Sequence, residues 1–207
     1  MNNNQLIQQA RELFTRTIET KQRLLADDKQ LAILATMAQE IAVAIAKGGK
    51  LMLCGNGGSC ADAQHLAAEL LVRLRPHVNR DGIAALALTT DMSSITACGN
   101  DYSYEVFFER MVQALGSTDD ILLGISTSGN SRNVIMAMEM ARKKGIRSLG
   151  FLGGDGGPML EVCDLAFIVP SNETGRIQES HITAGHTLME MVEDLLLANG
   201  TVQNMAE

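Results

Sequence analysis

Apolar positions follow two different periods along this chain, and the switch comes near residue 50. Before it, Leu6, Ala10, Leu13, Phe14 and Ile18 recur at helical spacing, as do Leu34, Met37, Ile41 and Ile45. That spacing lines one face of a helix. Two helices are therefore expected, parted by the polar ADDKQ and stopped by the glycines of KGGK. Beyond residue 50, short continuous apolar runs alternate with helical stretches. KLMLC (50–54) precedes a helix over 59–74, and GIAALAL (82–88) precedes one from Met92 and another over 104–115. DILLGI (120–125) precedes a helix over 132–144, IRSLGFL (146–152) the short turn GGDGGPML, and LAFIV (165–169) a long last helix over 176–197.

Strand candidates that are apolar at every position suit parallel strands covered on both faces. Five such βα units predict an α/β fold, a three-layer α/β/α sandwich around a five-stranded parallel sheet with right-handed crossovers. The expected organisation is one domain over 1–207: a helical pair at 1–48, the α/β core at 49–198 and a frayed tail at 199–207. Ligands of such sheets sit at the carboxyl ends of the strands, near the point where strand order reverses. Two loops at strand ends stand out.

The first is GNGGS, Gly55 to Ser59, where Asn56, Gly57 and Gly58 let backbone N–H groups approach a sugar or an anion. Its bland alternative is a tight turn with Ser59 as helix N-cap. The loop matches neither GxGxxG nor GxxxxGK[ST], which disfavours nucleotide binding of those kinds. The second is ISTSGNSRNV, in which Ser126, Thr127, Ser128 and Ser131 surround Gly129 and Asn130 ahead of a helix. One serine satisfies a cap, whereas four hydroxyls at a helix N-terminus suit a phosphate monoester. With no lysine inside the loop, the phosphate is held, not transferred.

The helix after the first loop carries His65 and Glu69, four residues apart and so on one face. Two such side chains either form an ordinary surface pair or share a metal ion. The last helix adds Gln178, His181 and His186 among apolar neighbours. For His181 the favoured reading is a hydrogen-bonded histidine with no role in chemistry.

Composition narrows the classes. Aromatic residues make up 3% of the chain with no Trp, which leaves few stacking platforms for single-stranded nucleic acid. A formal net charge of −7 repels a phosphate backbone, and Arg73, Arg75 and Arg80 read as a solvated loop. The four cysteines lack CxxC spacing and the N-terminus lacks the apolar core of a secretory signal. No apolar run approaches the ~18 residues that span a bilayer, so a reduced cytoplasmic protein is expected, with no nucleic-acid or membrane partner.

The ordered set CGNGGS…DAQHLAAEL, ACGND, LLGISTSGNS and RIQESH…GH resembles the phosphoheptose isomerases of the sugar-isomerase (SIS) domain family, over nearly the whole chain. That resemblance implies a flavodoxin-like SIS fold and a zinc-binding homotetramer with active sites at subunit interfaces. The implied reaction interconverts sedoheptulose 7-phosphate and D-glycero-D-manno-heptose 7-phosphate, the first step toward the ADP- or GDP-heptose precursors of lipopolysaccharide. It places one zinc per subunit on His65, Glu69, Gln178 and His186. It also places the phosphate on Ser126, Thr127, Ser128 and Ser131, and the sugar near Asn56, Gly57, Gly58 and Ser59, with Asn100 and Asp101 close by. His65, Glu69 and Gln178 also count among the substrate contacts.

Moving a carbonyl between adjacent carbons through an enediol needs a base, an acid and stabilisation of the enediolate. Glu69 and His186 are the expected pair, and zinc would polarise the oxygens. A glutamate bound to zinc is a weaker base, so the two roles compete at Glu69. Gln178 and His186 pose a geometric difficulty, because eight residues of straight helix part them by ~12 Å. Either the helix begins after Gln178 or the site combines residues of neighbouring subunits, and the second is favoured. Two other classes compete: a non-catalytic SIS adaptor that binds a replication initiator, and a phosphosugar-sensing regulatory module. The adaptor relatives lack the glutamate of the HxxxE pair, whereas Glu69 is present here.

Overall fold

In the structure, a computed structural model that describes residues 1–205, the two periods become two kinds of layer. Helices α1 (Asn3–Leu25) and α2 (Asp28–Ala46) come first. Five strands follow: β1 (Leu51–Gly55), β2 (Ala85–Ala87), β3 (Ile121–Ile125), β4 (Arg147–Gly153) and β5 (Leu165–Val169). Between and after them lie α3 (Gly58–Leu71), α4 (Met92–Asp101), α5 (Phe107–Leu115), α6 (Arg132–Lys143) and α7 (Thr174–Ala198). All strand pairs are parallel in the order β2-β1-β3-β4-β5. The order reverses between β1 and β3, so the flavodoxin-like switch point lies there. The loops that leave those two strands are the two glycine- and serine-rich loops.

The strands read as continuous apolar runs because their alternate residues feed two cores. Leu51, Leu53, Leu123, Leu149 and Phe151 pack beneath α2, α3 and α7. Met52, Cys54, Leu122 and Leu152 pack on the opposite side with residues of α5 and α6. Helix α2 joins the first core through Leu34, Met37, Ile41 and Ile45. Its Asp27 N-cap accepts from the Lys29 and Gln30 amides at 3.1 Å each. Gln30 in turn accepts the Ile168 amide of edge strand β5 at 2.8 Å, which occupies a donor on that open edge.

Several expectations are corrected. Strand β2 spans three residues, Ala85–Ala87, within the longer apolar run 82–88, whereas the short turn expected between β4 and β5 is found as a 3₁₀ turn, Pro158–Glu161. Ser59 is not a cap: Gly57 occupies the N-cap of α3 and Ser59 is buried in its first turn. The tail does not fray before residue 205. Val202 is buried, Asn204 bridges Arg80, and the Met205 amide donates to the Asn79 carbonyl at 2.8 Å. Residues 206 and 207 lie outside the described residues. The arginine loop is not solvated as a whole, since Arg80 is 3% exposed and Arg80 and Arg75 both pair with buried Glu193. Finally, α2 does reach spanning length, with 19 residues and a mean hydropathy of 1.3. Its apolar face is spent on α7 and β5, as in a core helix.

Candidate active site

Helix α3 starts at the β1 loop and α7 at the β5 loop, and the two run side by side in parallel. Their closeness depends on a glycine: a Cβ at Gly185 would stand 2.6 Å from Leu66 Cδ1. With no side chain there, α7 settles against Leu66, and the neighbouring His186 meets His65. The two Nε2 atoms are 2.8 Å apart, and the rings meet edge to face with centroids at 5.0 Å. Glu69 Oε1 lies 3.1 Å from His65 Nε2. One donor atom from each of His65, Glu69 and His186 falls within 4.8 Å of the other two. The i,i+4 spacing thus brought His65 and Glu69 together, and the tertiary fold added His186.

Gln178 is not at this cluster. Helix α7 is continuous from Thr174, which excludes a helix that begins after Gln178. Its amide lies against the start of α3, where a Cβ at Gly58 would come within 1.8 Å of Gln178 Nε2. Gly58 and His65 are seven residues apart on α3, so Gln178 sits ~10 Å along the helix axis from the histidine pair. Three of the four expected ligands converge within the chain, and the fourth does not.

A residue that sequence reasoning missed is Asp62, one turn before His65. It is 9% exposed, and among the described residues its Oδ2 has no hydrogen-bond partner. Burial raises its pKa, while the nearby His65 and His186 act in the opposite direction. Only its three-residue spacing from His65 could have signalled it.

The two loops are tied to each other. Asn56 and Asn133, the latter in the first turn of α6, exchange amide hydrogen bonds at 2.9 and 2.8 Å. Tyr104, unflagged in the sequence, donates its hydroxyl to Asn56 Oδ1 at 2.6 Å. Ser131 is the N-cap of α6 yet makes no side-chain cap bond. Its hydroxyl pairs instead with that of Ser126 at 2.9 Å, which leaves both beside the unpaired N–H groups of the helix start. Ser128 Oγ accepts the Asn130 amide at 3.2 Å. Gly129 has φ +64°, and a Cβ there would stand 1.9 Å from the Gly156 carbonyl oxygen, so only glycine lets the loops touch. Thr127 and Ser128 face an open cavity of ≈580 Å³ that Asp155, Ser171, Asn172 and Thr174 also line.

Asn100 and Asp101 do not join the loops. They end α4, bond to each other at 2.8 Å, and Asp101 lines a separate cavity with Cys98 and Arg110. His181 behaves as the bland reading expected. It is fully buried, and its Nε2–H donates to the Leu152 carbonyl at 2.9 Å. Burial lowers its pKa to about 4, so the ring is neutral at physiological pH.

Comparison with known proteins shows the family of the chain and its fold. The SIS domain family matches residues 7–153. A phosphoheptose isomerase of Aneurinibacillus thermoaerophilus is 47% identical over 88% of this chain and 91% of its own. One from Chlorobium phaeobacteroides (strain DSM 266 / SMG 266 / 2430) is 51% identical over 80% of this chain and 74% of its own. The solved phosphoheptose isomerase of Neisseria gonorrhoeae superposes with a TM-score of 0.84 at 38% identity, over 91% of this chain and 99% of that one.

Proposed function

We propose, for a chain that belongs to the SIS domain family and within it to the phosphoheptose isomerases, that it interconverts sedoheptulose 7-phosphate and D-glycero-D-manno-heptose 7-phosphate. The observation that carries this reading is the convergence of His65, Glu69 and His186 on two helices that start at the ligand end of the sheet. The hydroxyl loop supplies the other half of the substrate. Ser126, Thr127, Ser128 and Ser131 hold the phosphate at the start of α6, and the helix dipole adds attraction. Asn56, Gly57, Gly58 and Ser59 face the sugar, and the Asn56–Asn133 pair fixes the distance between sugar loop and phosphate loop. Phosphate binding thereby orients the reacting carbons.

Two imidazole nitrogens and a carboxylate oxygen form a donor set that zinc accepts. The two Nε2 atoms lie 2.8 Å apart, a hydrogen-bond distance, and parting them to roughly 3.3 Å would admit a tetrahedral ion at the usual zinc–nitrogen length. His65, Glu69 and His186 would hold the ion. When bound, zinc supplies Lewis-acid polarisation of the substrate oxygens. The fourth position falls to Gln178 of a neighbouring subunit or to substrate. Within the chain, Glu69 and His186 serve as the acid–base pair that moves the proton between C2 and C1. Glu69 directs one oxygen at His65, so the other is left for that proton.

A homotetramer agrees with helix α1, where Leu6, Ile7, Leu13, Phe14 and Ile18 are all exposed. The product would enter synthesis of ADP- or GDP-activated heptose for lipopolysaccharide, in the cytoplasm. The adaptor alternative gains no support from relatives named as isomerases. The test is turnover of sedoheptulose 7-phosphate by protein stripped with a chelator and then resupplied with zinc. Loss and recovery of turnover are expected, and no turnover in either state overturns the reading.

A further inference from the structure

A second polar cluster lies outside the site and ties together the two helices that build it. Arg80, from the segment after α3, is buried at 3% exposure, and Glu193 of α7 is fully buried. Arg80 Nε donates to Glu193 Oε1. Its Nη2 donates to the Glu69 carbonyl at 2.8 Å, and its Nη1 to the Leu70 carbonyl at 2.9 Å. Arg75 donates to the other Glu193 oxygen at 2.6 Å.

These partners have a common consequence. Helix α3 has no basic residue in its last turn to meet the carbonyls of Glu69 and Leu70, the second of which also accepts the Ile83 amide at 3.0 Å. The Arg80 guanidinium caps them, which is favourable at a helix C-terminus. One of the capped carbonyls belongs to Glu69 itself. The acceptor on the other side, Glu193, lies seven residues after His186, two turns on along the same face of α7. A planar guanidinium with fixed donor directions therefore spans from the backbone of Glu69 to the helix of His186. A buried ion pair is weak evidence for stability, and geometric specificity is a better-attested use of one.

We infer that Arg80 and Glu193 are positioning residues that set the register of α3 against α7, and so the spacing of His65, Glu69 and His186. The inference rests on the isomerase reading only for what that spacing is used for.

The test uses Arg80→Lys, which keeps the charge but loses the fork, and Glu193→Gln, which keeps the shape but loses the charge. Zinc affinity is measured by competition with a chromophoric chelator, turnover with sedoheptulose 7-phosphate, and the imidazole ¹⁵N shifts of His65 and His186 in metal-free protein. Circular dichroism confirms that each variant folds. Supporting the form of control expected for residues outside the ligand set, zinc affinity and kcat each fall about 10- to 100-fold. KM changes less than kcat, because the hydroxyl loop that holds the phosphate is untouched, and both histidine signals move. Folded variants with wild-type affinity, kcat and shifts overturn the proposal. Should Arg80→Lys fail to fold, Glu193→Gln decides alone. Should the wild-type protein not turn over the sugar, the isomerase reading falls, and the zinc affinity and ¹⁵N shifts still decide the positioning role.

Discussion

Replacing Gly58 with alanine would put one methyl group between the first helix of the site and the last. The new Cβ would stand 1.8 Å from Gln178 Nε2, 2.5 Å from its Cδ and 2.7 Å from its Oε1. Ordinary contact begins at 3.4 Å, so the amide must retreat by about 1.6 Å. The amide is the free end of a flexible side chain, and it can swing away without moving either backbone. Gly58 is the first residue of α3 and is not among the positive-φ glycines, so alanine fits its backbone. Helix propensity then favours the variant by up to ~1 kcal/mol, or about 2–4 °C in Tm for a chain of this size. Function moves the other way. If Gln178 belongs to the site, a displacement above 1 Å costs roughly 100-fold in kcat/KM. The assay pairs thermal unfolding with steady-state turnover. Adding Gln178→Ala to Gly58→Ala should then cost little more, because the amide is already displaced. Wild-type kcat/KM in the alanine variant would remove Gln178 from the site.

Three further outcomes are expected. Glu69→Gln should lower kcat by about 10²–10⁴-fold, the usual worth of a positioned acid or base, with an unchanged Tm; retained turnover would remove Glu69 from the chemistry. Ser126→Ala and Ser131→Ala should each raise KM roughly 10-fold through loss of a hydrogen bond to charged phosphate, and isothermal titration with inorganic phosphate should show the same loss. Equal KM would make the hydroxyl pair structural. His181 titrates near pH 4 in the fold against an ordinary 6.5. The unfolded chain therefore binds its proton first, and the stability this neutral ring confers is full above pH 6.5 and lost as pH falls toward 4. The slope is about 1.4 kcal/mol per pH unit and the total about 3 kcal/mol. His181→Gln, which does not titrate, should show about 2.5 kcal/mol less acid destabilisation in urea melts compared at pH 7 and pH 4.5, and an identical loss in both proteins contradicts the assignment.

The sheet was legible because every strand from β1 to β5 had to be apolar on both faces, and few other elements produce runs such as LMLCG or ILLGI. The His65–Glu69 pair was equally legible, since four residues make one helical turn. What needed the tertiary fold was the third member. His186 reaches His65 only because Gly185 lets α7 approach Leu66, a contact between positions 119 apart in sequence. The buried pair of Arg80 and Glu193 was hidden for the same reason: an arginine on a loop looks solvated until its partner, 113 residues away, is known. Asp62 gave no signal beyond its spacing. Asn100 and Asp101 carried a motif, but among the described residues their side chains hydrogen-bond to each other and not to the loops, so their assignment rests on resemblance alone. The tail looked frayed from its composition, and its backbone pairing to Asn79 and Arg80 is invisible to composition.

The proposed reaction moves a proton between two carbons of a phosphorylated heptose. It is tested most directly by NMR of the zinc-loaded protein with sedoheptulose 7-phosphate in deuterated water. An aldoheptose 7-phosphate that carries deuterium at C2, acquired from the solvent-exchanged acid–base pair of Glu69 and His186, is expected. A folded, zinc-loaded protein that leaves the ketose untouched would contradict it.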